Sequence, residues 1–230
     1  MPGLIGSLLL VAVVAYLWGS IPSGYWMGKI LRGKDFDIRA YGSHKTGATN
    51  VLRTLGKGPA IIVLVVDLTK GLGPTLLATF VAPFMAGGWG IVVAGVLALV
   101  GHCFPIFIGF KGGRGVMTGA GALLVASPLG FLVSLITTLS TIAIWRYVSL
   151  GSIVGGATAI VCGILFYFIG HADPAFIGKI SLAQMLYMII GPALVILFHH
   201  DNIGRLLAGK ERKIGQKASV TGVATSQNNA

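Results

Sequence analysis

The sequence predicts an all-α, polytopic integral membrane protein with seven transmembrane helices, its N-terminus outside and its C-terminus in the cytoplasm. Three observations carry this expectation. Of 230 residues, 55% are hydrophobic and only 10% are charged, where a soluble domain carries about 25% charged residues. The apolar residues gather into runs near the roughly 20 residues that cross about 30 Å of hydrocarbon as helix. Fifteen of the seventeen Lys and Arg residues lie in loops that share one face once those runs are threaded through a bilayer, the bias of cytoplasmic loops.

The first run, about Leu4 to Met27, has no basic residue before Lys29. Without the basic region of a secretory signal, it reads as a retained span entered from outside. The second runs from about Ala60 to Val81 and carries Asp67 and Lys70; the third runs from about Trp89 to Ile108. The stretch Val116 to Ala143 is long for one span and short for two. Ser127-Pro128 divides it, because proline removes a backbone donor and disfavours helix in the residue before it. The last two spans run from about Ile153 to Ile169 and from about Leu182 to Phe198.

The parity of that long stretch decides the topology. Split at Pro128, it puts Lys29–Lys57, Lys111–Arg114, Arg146 and the segment after His199 on one side. Unsplit, it moves Arg146 and five further cations to the other side, against the charge bias. Residues 1–217 therefore read as a single membrane domain, and the polar, small-residue segment 218–230 as a disordered tail. The 35 glycines suit close helix packing in lipid as well as flexible loops.

A net charge of +11 would point to nucleic acid in a soluble protein. Here the loop bias covers most of it and an anionic substrate the remainder, so no nucleic-acid partner is expected. Cys103 and Cys162 sit in apolar runs without a Cys or His set around them, which indicates packing rather than a disulfide or zinc site. His199, His200 and Asp201 lack the further ligands that a metal requires. Neither a metal nor a cofactor is expected.

Four same-side loops hold the residues capable of chemistry. The first reads Asp37-Ile-Arg-Ala-Tyr-Gly-Ser-His-Lys-Thr-Gly-Ala-Thr-Asn-Val-Leu-Arg, placing Gly42, Ser43, Gly47, Thr49 and Asn50 between Arg39 and Arg53. Small residues let amides approach an anion, hydroxyls and an amide add donors, and guanidinium forks suit phosphate. A glycine-rich turn with topology-setting cations fits the same residues. No GxxxxGK[ST] occurs, so nucleotide hydrolysis is unsupported. In the second loop, Lys111 and Arg114 stand among Gly109, Gly112, Gly113 and Gly115 directly before a span, whose first-turn amides favour an anion. The third, Arg146-Tyr-Val-Ser-Leu-Gly-Ser, offers Ser149 and Ser152 and taken alone is a tight turn. In the fourth, continued helix would align His199, Asn202 and Arg205. Asp67 and Lys70, spaced i, i+3 inside a span, read equally as a functional pair or as a mutually neutralising one.

Anion-friendly loops confined to one membrane face, above apolar helices that offer a path for a lipid chain, indicate an enzyme acting on phosphorylated lipid precursors. A transporter of phosphate esters is the alternative from another class, but such proteins place their sites at the midplane between repeats, and no internal repeat is evident.

The chain resembles the bacterial acyl-phosphate-dependent glycerol-3-phosphate acyltransferases, the PlsY family. The matching elements are Gly19-Ser-Ile-Pro-Ser-Gly, Gly42-Ser…Gly47-Ala-Thr-Asn…Arg53, Asp67-Leu-Thr-Lys-Gly, His102-Cys-Phe-Pro…Phe110-Lys-Gly-Gly-Arg-Gly-Val, Ser149-Leu-Gly-Ser, and His199…Asn202…Arg205-Leu-Leu…Gly209…Glu211. The resemblance implies seven spans in the bacterial inner membrane and a cytoplasmic-side active site. It implies acyl transfer from acyl phosphate to glycerol 3-phosphate, giving lysophosphatidic acid and phosphate, the first step of phospholipid synthesis. It further implies that Ser43, Arg53, Lys111, Ser149, His199 and Asn202 hold and orient glycerol 3-phosphate. Gly42, the Gly47–Asn50 backbone, Thr49, Gly112, Gly113, Arg114, Arg205 and Glu211 become candidates for substrate binding, with the Gly47–Asn50 segment, Thr49 and Arg114 assigned to the acyl phosphate and Glu211 also bracing the fourth loop. None of the five histidines has Asp five positions later, so the HxxxxD chemistry of acyl-CoA acyltransferases is not indicated.

Two departures stand out. The family usually shows Gly-Ser-Gly-Asn where this chain has Gly42-Ser43-His44-Lys45, which removes backbone freedom and an amide and adds positive charge beside the expected phosphate. Arg114 stands where Lys is common, exchanging a point charge for a planar fork. A paralogue with an altered donor or acceptor fits these departures.

Overall fold

The structure is a computed structural model that describes residues 2–80 and 88–216. Every regular element among the described residues is helical. Helix α1 (Pro2–Gly19) breaks at Ser20-Ile21-Pro22 and resumes as α2 (Ser23–Arg32), whose last-turn Lys29 and Arg32 complement the helix C-terminus. A single 3₁₀ turn at Ile38–Ala40 and the short helix α3 (Ala48–Thr54) form the first loop. Then follow α4 (Lys57–Thr79) and α5 (Trp89–Cys103), with a 3₁₀ turn at Ile106–Ile108 leading to the second loop. The second half comprises α6 (Val116–Ala126), α7 (Pro128–Trp145), α8 (Val148–Ala172), the single turn α9 (Pro174–Ile177), α10 (Leu182–Leu197) and α11 (His200–Leu207).

The division expected at Pro128 is present. Ser127 adopts an extended conformation, Pro128 occupies the first turn of α7, and the Ser127 hydroxyl accepts from the Gly130 amide at 3.1 Å. Five stretches are long and apolar enough to cross a bilayer: Ile5–Arg32, Lys57–Thr79, Trp89–Ile108, Pro128–Trp145 and Val148–Ala172. A sixth is the pair α10 and α11, bent by 58°. Helix α6 has only 11 residues, about 16 Å of helix, against the full span the sequence leads one to expect. The second span's expected end at Val81, Lys217 and the expected tail 218–230 lie outside the described residues.

Short α6 is nevertheless central, packed against α4, α5, α7 and α10. Its contact with α4 depends on missing side chains. A Cβ on Gly71 would stand 1.8 Å from the Thr118 carbonyl oxygen, and one on Gly121 2.1 Å from that of Leu68. Small residues allow such backbone approach where lipid tails provide no hydrophobic drive for association. The far end of α6 is fixed by polar bonds: Gln184 Nε2 donates to the Ala126 carbonyl at 2.8 Å, and the buried Tyr187 hydroxyl donates to that of Gly119 at 2.9 Å. Ser181 and Gln184 form a capping box that starts α10. With α6 held this way, its N-terminus points into the space beneath the four loops.

Candidate functional site

The four loops enclose one cavity of about 380 Å³. The first loop contributes Ser43, Lys45, Gly47, Thr49 and Arg53; the start of α6 contributes Arg114 through Met117; α8 contributes Ser149 and Ser152. His199, Asn202 and Glu211 complete the polar wall, while Leu64, Leu135, Leu139 and Ile142 make the apolar one. Below lies a second cavity of about 170 Å³, lined by Leu68, Leu123, Phe131 and Ala159. Val116, Met117, Leu135, Thr138 and Ser152 line both. A charged chamber thus adjoins an apolar one.

The fourth loop is organised by one carboxylate. Glu211 accepts from Ser149 Oγ at 2.9 Å and from Asn202 Nδ2 at 2.8 Å through Oε1, and from Arg205 Nε at 2.8 Å through Oε2. Burial alone would raise its pKa, but these three hydrogen bonds and the Arg205 charge outweigh it and hold the carboxyl below the ordinary range. The chain after α11 is also tied down at Ile214, whose amide donates to the Arg146 carbonyl at 2.7 Å. Arg205 therefore serves as a brace, outside the cavity wall. His199 is buried, and its Nδ1 donates to the Val195 carbonyl at 2.7 Å, which leaves Nε2 as the ring's remaining polar atom. Asn202 Oδ1 is buried without a protein partner.

Arg53 and Arg114 have no ion pair among the described residues, and Arg114 Nε is buried without a partner. Burial lowers the pKa of both guanidinium groups, and for Arg114 the charge of Arg205 adds to the effect. Each therefore stands to gain from an anion.

Several expected roles change. Asn50 lines the cavity, yet its side chain is occupied in holding the loop. Its Nδ2 donates to the carbonyls of Ile38, Tyr41 and Lys45 at 3.1, 3.0 and 2.8 Å, and its Oδ1 accepts from the Ser43 amide at 2.9 Å. Gly42 is shaped by the same latch: it has φ +61°, and a Cβ there would stand 2.1 Å from Asn50 Oδ1. Arg39 is not free for phosphate, because Asp37 takes Nε and Nη2 while Nη1 donates to the Ile108 carbonyl at 2.7 Å. Gly112 and Gly113 do not offer amides to a ligand; they donate to the carbonyls of Cys103 and His102, each at 3.1 Å. Lys111 is exposed and outside the cavity wall, since those two bonds fold its neighbours back onto α5 and leave it on the outer side of the turn.

The intramembrane pair proves mutually neutralising. Lys70 Nζ lies 2.5 Å from Asp67 Oδ1, both side chains are 2% exposed, and Ser23 Oγ donates to the same oxygen at 2.6 Å. Asp67 and His102 nonetheless reach the cavity wall, as do Lys45 and Ser152. His102 is the one of these to which the sequence reading gave no part in the site; Ser152 lies about one helical turn after Ser149.

The known proteins similar to this chain are glycerol-3-phosphate acyltransferases. The profile of the glycerol-3-phosphate acyltransferase family matches residues 9–209. Glycerol-3-phosphate acyltransferase 2 of Moorella thermoacetica is 43% identical over 210 residues, covering 91% of this chain and 99% of the relative. Glycerol-3-phosphate acyltransferase 3 of Dehalococcoides mccartyi is 39% identical over 226 residues, covering 94% and 99%. The crystal structure of PlsY (YgiH), an integral membrane glycerol 3-phosphate acyltransferase, in its glycerol 3-phosphate form matches with a TM-score of 0.77. It is 37% identical, over 91% of this chain and 96% of that one.

Proposed function

The chain belongs to the glycerol-3-phosphate acyltransferase family, and from that premise we propose that this integral membrane acyltransferase takes its acyl group from an acyl phosphate. The products are lysophosphatidic acid and inorganic phosphate. One observation carries the proposal: a chamber with unpaired cations opens into an apolar chamber through shared residues, which suits phosphates at one end and a fatty chain at the other.

Ser43, Arg53, Ser149, His199 and Asn202 hold glycerol 3-phosphate and orient its hydroxyl. Thr49, the backbone at Gly47, and Arg114 with the first-turn amides of α6 hold the donor phosphate. Lys111 joins the bound phosphate from the outer turn, three residues from Arg114. The donor is a mixed anhydride with phosphate as leaving group, so the chain's work is positioning and charge stabilisation rather than deprotonation by a strong base. A phosphate oxygen of the donor takes the hydroxyl proton. Asn50, Gly42, Gly112, Gly113, Arg205 and Glu211 keep the loops in place.

In the same proposal α6 counts as a passage and the bent pair α10–α11 as one, giving seven passages of a single domain. The N-terminus then lies outside the bacterial inner membrane, and the site faces the cytoplasm. The test is direct. Purified protein is incubated with labelled glycerol 3-phosphate and either palmitoyl phosphate or palmitoyl-CoA. Labelled lysophosphatidic acid with palmitoyl phosphate alone is the expected outcome; product only with the thioester would overturn the donor assignment.

A further inference from the structure

The cavity wall carries three cations, Lys45, Arg53 and Arg114, and two carboxylates, Asp67 and Glu211. Both carboxylates are occupied, Asp67 by Lys70 at 2.5 Å and Glu211 by Arg205 at 2.8 Å. Lys45 has no ion pair among the described residues. Lys45 lines the cavity beside Gly47 and Thr49 of the same loop, the segment given above to the donor phosphate.

The Lys45 backbone is clamped, its carbonyl accepting from Asn50 Nδ2 at 2.8 Å, so the half-buried side chain projects from a fixed point on the wall. A phosphate monoester carries about 1.5 to 2 negative charges near neutral pH. Two bound phosphates together bring about 3 to 4 negative charges against the two guanidinium groups of Arg53 and Arg114, which calls for a further cation.

Building on the acyl-phosphate reading, we propose that Lys45 is a specificity-determining residue for the donor, its ammonium pairing with the acyl phosphate's phosphate and stabilising that group as it leaves. In the reaction the glycerol 3-phosphate hydroxyl oxygen bonds to the acyl carbon. The bond from that carbon to the bridging phosphate oxygen breaks, and its electron pair and the hydroxyl proton both end on inorganic phosphate. Negative charge grows on the phosphate as that bond lengthens, so a fixed cation acts more strongly on the transition state than on the bound donor. An ammonium, with three rotatable donors on a flexible stem, can follow a phosphate that is changing its bonding. A thioester has no phosphate at that position and gains nothing from Lys45.

The test compares full-length wild-type, Lys45→Asn and Lys45→Arg proteins, using palmitoyl phosphate, palmitoyl-CoA, glycerol 3-phosphate and inorganic phosphate as probes. Lys45→Asn is expected to lower kcat/KM for palmitoyl phosphate about tenfold and to weaken inhibition by inorganic phosphate by a similar factor. KM for glycerol 3-phosphate should stay within about twofold, and Lys45→Arg should restore most of the donor effect. Should Lys45→Asn lower the Tm, Lys45→Met, of similar length, takes its place. Unchanged donor kinetics and phosphate inhibition would overturn the assignment, as would a change confined to the KM of glycerol 3-phosphate. A wild-type protein that uses only palmitoyl-CoA would refute the acyl-phosphate reading itself, and the inorganic phosphate comparison would still judge Lys45.

Discussion

Removing the Glu211 carboxylate should loosen the site from behind. Glu211→Ala takes the shared acceptor from Ser149, Asn202 and Arg205. A hydrogen bond to a charged group contributes about 1.5–3 kcal/mol, and Ser149 and Asn202 are both buried. Arg205 counts for less, because its side chain is 41% exposed and solvent screens such pairs to about 1 kcal/mol or below. The three bonds share one acceptor and do not add, so a total of roughly 3–5 kcal/mol is expected. At about 2–4 °C per kcal/mol for a chain of this size, Tm should fall by roughly 10 °C. Glu211→Gln, which keeps one acceptor oxygen, should lose about half as much. The rate of lysophosphatidic acid formation should fall about tenfold or more in the alanine variant, with a raised KM for glycerol 3-phosphate, as Ser149 and Asn202 lose their common anchor. Acid supplies an independent check. A carboxyl held below its ordinary value of 4.5 contributes stability that is complete above that value and is lost as pH falls through the lower folded one. Wild type should therefore lose Tm below about pH 4.5 through a component that Glu211→Gln lacks. A Glu211→Ala protein with wild-type Tm and wild-type kinetics would show that the carboxylate organises nothing.

The remaining expectations concern the cations and the first loop. Arg53→Ala and Arg114→Ala should each reduce kcat/KM by about a hundredfold, with Tm unchanged or raised because each removes an unpaired, partly buried charge; wild-type rates in either would remove it from the site. Lys111→Ala should lose activity comparably, because this exposed lysine closes on bound phosphate; full activity would take Lys111 out of the site. Gly42→Ala should cost about 2 kcal/mol or more and most of the activity, since the new Cβ would meet Asn50 Oδ1 at 2.1 Å on a backbone with φ +61°. His44→Gly, two residues on, relieves a left-handed residue with φ +57° and should change stability by less than about 1 kcal/mol, strain relief being offset by chain entropy. Thermal unfolding and initial rates check both glycine predictions, and equal behaviour of the two variants would contradict the latch.

Most of the apolar helices and the break at Pro128 were legible in the sequence, because length, hydropathy and proline act locally; the break of the first run at Ser20–Pro22 and the shortness of α6 were not. Ser43, Arg53, Ser149, His199 and Asn202, which the family resemblance grouped with Lys111, line one cavity, while Lys111 stands outside its wall. Individual duties were not legible. Asn50 and Arg39 looked like phosphate donors, and the structure commits Asn50 to backbone carbonyls and Arg39 to Asp37 and the Ile108 carbonyl. Gly112 and Gly113 looked like an anion loop, and they serve as a close contact with His102.

Neighbours along the chain alone fix the apolar helices, the break at Pro128 and the polar loops; they left unseen the break at Ser20–Pro22, the 11-residue length of α6 and the 58° bend between α10 and α11. Only the tertiary structure decided which donors and cations remain unpaired. That depends on acceptors far away in sequence, as with Ser149 and Glu211 or Arg39 and Ile108. A polar side chain binds a ligand through the donor or acceptor capacity that the fold has left it. Pairing across the fold, rather than residue type, separates Arg53 and Arg114 from the residues that hold the loops in place.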